Sequence, residues 1–147
     1  MFKHILFPTD GSTLSLRAAK SAIRFAKVHG ARMTAFYAAP EYHPNIAGDY
    51  MPANFVTLAV YQTQIKKTAE KYLAQVKKLA TVGGVECVGR YASGDSPYQA
   101  IIKAANDAKC DLIFMASHGR SGIAGLLIGS ETNKVLTHCK LPVLVYR

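Results

Sequence analysis

Asp111-Leu112-Ile113-Phe114-Met115-Ala116-Ser117-His118-Gly119-Arg120-Ser121-Gly122-Ile123-Ala124-Gly125-Leu126-Leu127-Ile128-Gly129-Ser130 is the stretch on which the fold turns. Its first six residues form a nearly unbroken apolar run, the pattern of a central strand buried on both faces. Four glycines follow, and near Ser130 a helix begins that ends near His138. Glycine lets backbone N–H groups approach an anion with no side chain between them. A helix start adds unpaired N–H groups and a partial positive charge. Strand, glycine-rich turn and helix in that order read as a phosphate cradle at the carboxyl end of a strand. Open α/β sheets bind ligands there, near the point where strand order reverses.

The rest of the chain repeats the alternation of strand and helix that a helix-covered parallel sheet requires. A strand is expected over residues 3–7, followed by the turn Pro8-Thr9-Asp10-Gly11-Ser12. Ser12 is placed to cap a helix whose buried stripe is Leu16, Ala19, Ala22, Ile23 and Ala26, and Gly30 ends it. A short strand is expected over residues 33–38. Residues 39–54, rich in Pro, Gly, Asn and Asp, form a loop longer than the usual ~4–6 residues. A long helix is expected over residues 55–81, with Leu58, Ile65, Tyr72 and Leu79 recurring every seven residues and Ala69 and Val76 between them. Its lysines 66, 67, 71, 77 and 78 read as a solvated face. Gly83-Gly84 stops it. A strand over residues 86–91 precedes Ser96-Pro97, a cap and first turn for a helix marked by Ala100, Ile101, Ala104, Ala105 and Ala108. A fifth strand runs from Pro142 to Tyr146.

The 147 residues fit one domain, 50% of them hydrophobic and 18% charged. No leader reads at the start, and no stretch approaches the ~20 apolar residues of a membrane helix. A cytoplasmic location is expected, and no membrane partner. Cys87, Cys110 and Cys139 are widely spaced and without a CxxC pair, so neither a disulfide framework nor a zinc site is expected. Eighteen Lys and Arg against nine acids give a net +9, which favours anionic partners in general. No nucleic-acid motif accompanies that charge, and no nucleic-acid partner is expected. The P-loop pattern and the dinucleotide fingerprint are both missing. His4, His29, His43 and His138 are scattered, and His118 has no serine-and-acid constellation that would make it a catalytic base.

The stretch from Ala116 to Ser130 resembles the universal stress protein signature G-x2-G-x9-G-[ST]. Ala116, Gly119, Gly129 and Ser130 stand at its spacings, with alanine where the family has its first glycine. The opening Phe7-Pro8-Thr9-Asp10-Gly11-Ser12, Gly94-x2-Pro97 and the closing Leu141-Pro142-Val143-Leu144-Val145 are also similar to that family. The likeness covers essentially the whole chain in order. It implies an open five-stranded parallel, Rossmann-like sheet of strand order 3-2-1-4-5 with helices on both faces.

The same resemblance implies an adenine nucleotide site and a stress-response signalling role. Gly119, Arg120, Gly129 and Ser130 would surround the phosphates, with His118 in the same loop and Thr132 two residues into the helix. Asp10 would face the ribose, flanked by Pro8 and Thr9. Ala38 would pair its backbone with the adenine edge, and Met115 would line the base pocket beside Ala116. The implied ligand is ATP with Mg or Mn, with no covalent cofactor, no protein metal site and no catalytic residue. Hydrolysis would be slow at most, and a homodimer would form through the strand from Pro142 to Tyr146. A nucleotide-free dimeric interaction module of the same fold, suggested by Ala116, and a slow ATPase are the alternatives. AMP and cyclic nucleotides stay open beside ATP, as do the protein partners.

Overall fold

A computed structural model describes residues 1–44, 46, 48, 51–119 and 128–147. Five parallel strands stand in the order β3-β2-β1-β4-β5. In chain order the elements are β1 (His4–Pro8), α1 (Thr13–His29), β2 (Arg32–Ala39), α2 (Leu58–Gly83), β3 (Cys87–Ser93), α3 (Pro97–Asp107), β4 (Leu112–Ala116), α4 (Ser130–His138) and β5 (Val143–Tyr146).

Alternation along the strands divides the core in two. Ile5 and Phe7 of β1, with Leu112, Phe114 and Ala116 of β4, face α1 and α2. They pack on Ala18, Ala19, Ala22, Ile23 and Ala26 of α1 and on Ala69, Leu73, Val76 and Ala80 of α2. Leu6, Ile113 and Met115 face the other way, onto Ile101 and Ala105 of α3 and Val135 of α4. Ile5, Leu6, Phe7 and Ile113 are 0% exposed, as burial of central strands on both faces requires. Burying one such side chain contributes about 1.5–3 kcal/mol, so the two central strands anchor the fold.

The helix starts depart from expectation in two places. Ser96 occupies the cap position of α3 but makes no side-chain cap bond. The Glu131 carboxylate of α4 accepts from Tyr98 N instead, at 2.9 Å. The long helix begins at Leu58, behind the cap Thr57, and its first turns pass beyond the sheet. Leu58 is therefore 49% exposed, and α2 buries Ala69, Tyr72, Leu73, Val76 and Ala80. Gly30 and Gly84 close α1 and α2 in the left-handed conformation at φ 61° and 71°.

Candidate functional site

Strand order reverses between β1 and β4, whose carboxyl ends lie side by side. The chain leaves β1 through a turn that satisfies itself. Thr9 N donates to Phe36 O at 2.8 Å, fixing the turn to β2. The Thr9 hydroxyl accepts from Gly11 N at 3.2 Å and from the Ser15 hydroxyl at 2.9 Å. Asp10 Oδ1 accepts from Ser12 N at 2.9 Å, and Ser12 Oγ accepts from Ser15 N at 3.1 Å. Gly11 lies at φ 73°, and a Cβ there would be driven into the Tyr72 ring. That ring stands edge-on to Tyr37, with centroids 5.3 Å apart.

The chain leaves β4 differently. Ser117 is 1% exposed, and its backbone joins three segments. Its N–H donates to Tyr146 O of β5 and its carbonyl accepts from Gly129 N, both at 2.7 Å. Its hydroxyl lies 2.9 Å from His118 Nδ1. Gly129 is at φ −67°, a conformation open to any residue, so crowding rather than torsion explains the glycine. A Cβ there would stand 3.1 Å from Ser117 O and 3.4 Å from His118 Cα. Gly129 occupies the cap position of α4 and has no side chain to give. The N–H groups of Ser130, Glu131 and Thr132 thus have no partner within their helix. The Glu131 carboxylate turns away toward Tyr98 N and Lys134.

The two exits meet. A Cβ on Gly119 would stand 2.8 Å from Asp10 Oδ2, so Asp10, His118, Gly119, Gly129 and Ser130 converge at this edge. Pro8 is half-buried beneath them, and Thr9 is 5% exposed with its hydroxyl turned toward α1. Thr132 is 3% exposed, and its hydroxyl donates to Ala116 O at 3.1 Å, bracing the end of β4. Ala116 lies within β4, and Lys109 alone among described non-glycine residues has positive φ. Alanine in place of the family's glycine therefore carries no backbone strain. Arg120 lies outside the described residues.

β2 runs on past this edge. Its pairing with β1 ends at Pro8 and Phe36, with Thr9 N bonded to Phe36 O. Alternation turns the N–H and C=O of Ala38 to the same side, where β1 no longer runs. Tyr37 and Ala39 face β3, consistent with Gly94 N donating to Ala39 O at 3.0 Å. Ala38 and Met115 share the cluster facing α3 and α4, with Met115 5% exposed.

Sequence reasoning missed Ser117 and Glu131. The signal for Ser117 was its place inside the motif spacing. Glu131 gave none, because its role depends on a helix start 33 residues away. Among the described residues no group of three His, Cys, Asp or Glu is arranged for a metal ion. A cleft of about 720 Å³ lies apart from the converging residues, lined by Glu41, Tyr42, Leu58, Tyr61, Lys66 and Tyr91 among others.

Fold and edge define an open, doubly wound parallel α/β domain with its glycine-bounded loop at the switch point. The chain belongs to the universal stress protein family, whose description it matches over residues 1–147. It is 35% identical to a universal stress protein of Thermus aquaticus, with each chain covered in full. The solved structure of MJ0577 from Methanocaldococcus jannaschii superposes with a TM-score of 0.81 at 26% identity, covering 99% of this chain and 95% of that one. A universal stress protein solved in complex with cAMP superposes at 0.72 and 25% identity, covering 99% and 97%.

Proposed function

We propose that this chain binds one adenine nucleotide, ATP with an accompanying Mg or Mn ion, between the carboxyl ends of β1 and β4. It acts in stress signalling as a homodimer in the cytoplasm. The observation that carries this reading is the uncapped start of α4, facing the Asp10 turn across the switch point. Three N–H groups without a partner in their own helix, a partial positive charge and the Ser130 hydroxyl suit a phosphate chain. Gly119 and Gly129 keep the approach clear of side chains, and Arg120 adds charge. Asp10 Oδ2 takes the ribose. The outward N–H and C=O of Ala38 supply one donor and one acceptor to the adenine edge, with Met115 beneath the base. Thr132 contributes by holding the Ala116 carbonyl rather than by touching phosphate.

Three further observations support the reading. The methyl of Ala116 belongs to the core cluster facing α1 and α2, which favours binding over the nucleotide-free alternative. The divalent ion would be held by the phosphates and water, the usual arrangement for Mg. The relative solved with cAMP supports the adenine nucleotide class. Hydrolysis is slow at most, because no described residue is evidently placed to orient an attacking water. β5 is an edge strand with four half-buried residues, and its apolar edge is the surface for a second copy.

Calorimetric titration of the nucleotide-stripped protein with Mg-ATP tests the site. Saturable binding of one nucleotide per chain is expected. Gly129→Ala should weaken it at least about tenfold by closing the amide cradle, equivalent to about 1.4 kcal/mol. Absence of heat at two temperatures, together with no thermal shift in excess Mg-ATP, would end this reading, because a ligand of the native state must raise stability. Light scattering on the same sample should give the mass of two chains.

A further inference from the structure

The positive charge is gathered on one face of the fold. α1 carries Arg17, Lys20, Arg24 and Lys27 and no acid. α2 carries Lys66, Lys67, Lys71, Lys77 and Lys78, with Glu70 as its one acid. All nine cations are exposed. On the opposite face Lys103 pairs with Asp107 of α3, and Lys134 with Glu131 of α4, so those helices are balanced. Half of the 18 lysines and arginines but one of nine acids thus sit on two neighbouring helices, which account for nearly all of the net +9. Lys66 has Glu70 at 4.0 Å; among the described residues the other eight form no ion pair.

Placement makes this a surface. On α1 the cations recur at intervals of three, four and three residues, which keeps them on one outward stripe. At 1.5 Å per residue the α1 cations span about 15 Å and those of α2 about 18 Å. Packed helices lie about 8–10 Å apart, so the two stripes form a plateau rather than a ridge. No exposed aromatic side chain stands on either helix to stack a base. Val28 and Val82 are each 83% exposed at the carboxyl ends of α1 and α2, where the helices close together at Ile23 and Gly83.

We infer that the α1/α2 face is a docking surface for an anionic lipid bilayer. A flat array of lysines matches a plane of acidic headgroups, and the two valines at its end reach the acyl boundary. This departs from two expectations of the sequence, that there is no membrane partner and that the α2 lysines are a solvated face. Docking in this manner leaves the carboxyl edge of the sheet open, so it proceeds with or without nucleotide.

The test is flotation of the full chain with vesicles of about seven parts phosphatidylcholine to three of phosphatidylglycerol, against pure phosphatidylcholine, at low and at physiological salt. One variant combines Lys20→Gln, Arg24→Gln, Lys67→Gln and Lys71→Gln. A control removes the same charge elsewhere, through Lys3→Gln, Lys103→Gln, Lys140→Gln and Arg147→Gln. Each cation near an acidic surface is worth about fivefold in binding. The face variant should therefore lose more than about tenfold while the control stays within a few-fold, both with unchanged melting curves. No binding to acidic vesicles at low salt, or equal losses in the two variants, would overturn the proposal. So would tighter binding of a random-sequence duplex than of acidic vesicles, which would assign the face to nucleic acid.

Discussion

Two helices start side by side at the carboxyl edge of the sheet, and they treat their free amides in opposite ways. α1 follows a turn in which Thr9, Asp10 and Ser12 each accept a backbone N–H, the last capping Ser15 N. α4 follows Gly129, which has no side chain, and the carboxylate in its own first turn, Glu131, is spent on α3. The first turn is closed by its own side chains, so its residues should govern stability. The second leaves its amides to whatever binds there, so its residues should govern affinity. Glycine serves both ends for unlike reasons: positive φ under the Tyr72 ring at Gly11, close backbone approach at Gly129.

The largest effect is expected where the closed turn is tightest. Gly11→Ala places a side chain at φ 73° and pushes it into Tyr72. Backbone strain and overpacking together should remove about 2–4 kcal/mol. At about 2–4 °C per kcal/mol for a chain of this size, the melting midpoint should fall by roughly 5–15 °C. A midpoint within a degree of the parent would mean that Tyr72 moves aside at little cost, and that the turn is less rigid than its hydrogen bonds suggest.

A matched pair of serines sharpens the contrast. Ser12→Ala removes a cap worth about 1 kcal/mol and should lower the midpoint by a few degrees with nucleotide affinity unchanged. Ser130→Ala removes an exposed hydroxyl at the open start of α4 and should leave the midpoint alone. A lost bond to a charged phosphate would weaken Mg-ATP by about tenfold. Thermal melts and titrations on both variants decide the matter. Equal loss of affinity in the two would erase the distinction between a self-satisfied turn and a ligand-facing one.

How much of this was legible in the sequence depended on whether the physics was local. The Ser12 cap is a contact between residues three apart, and its pattern showed directly. The central strands β1 and β4 showed as apolar runs because both of their faces are buried. Ser96 looked like an equally good cap, yet the α3 amide is met by a carboxylate from another helix, which local spacing does not encode. The seven-residue recurrence in α2 was real, but it began at Leu58, before the helix reaches the sheet. The convergence of Asp10 with Gly119 came from the resemblance and from topology, since residues 109 apart share no local pattern. The lysines were counted correctly, but their concentration on one face appeared only once α1 and α2 were seen together.

The amino edge of the sheet extends the comparison, for there polar groups turn inward with no ligand in view. Asp111 carboxylate oxygens accept from Lys3 N at 2.7 Å and from His4 N at 3.0 Å. His4 is 7% exposed, and its Nε2 lies 2.8 Å from the Thr34 hydroxyl. Burial, and after it the positive charge of Arg32, lowers the imidazole below its ordinary 6.5, while Ala108 O and Asp111 pull less strongly the other way. A base whose folded pKa is depressed binds fewer protons in the native than in the unfolded chain, so stability rises with pH through that interval. His4 therefore contributes fully above pH 6.5 and its contribution is lost as pH falls below that value. His4→Gln keeps an amide able to bond Thr34 but cannot titrate. Urea denaturation at about pH 5 and about pH 7.5 should show a smaller loss on acidification in the variant than in the parent. This is the smallest of the effects, since one side chain carries it. An identical acid loss in both proteins would show that His4 does not carry the sensitivity.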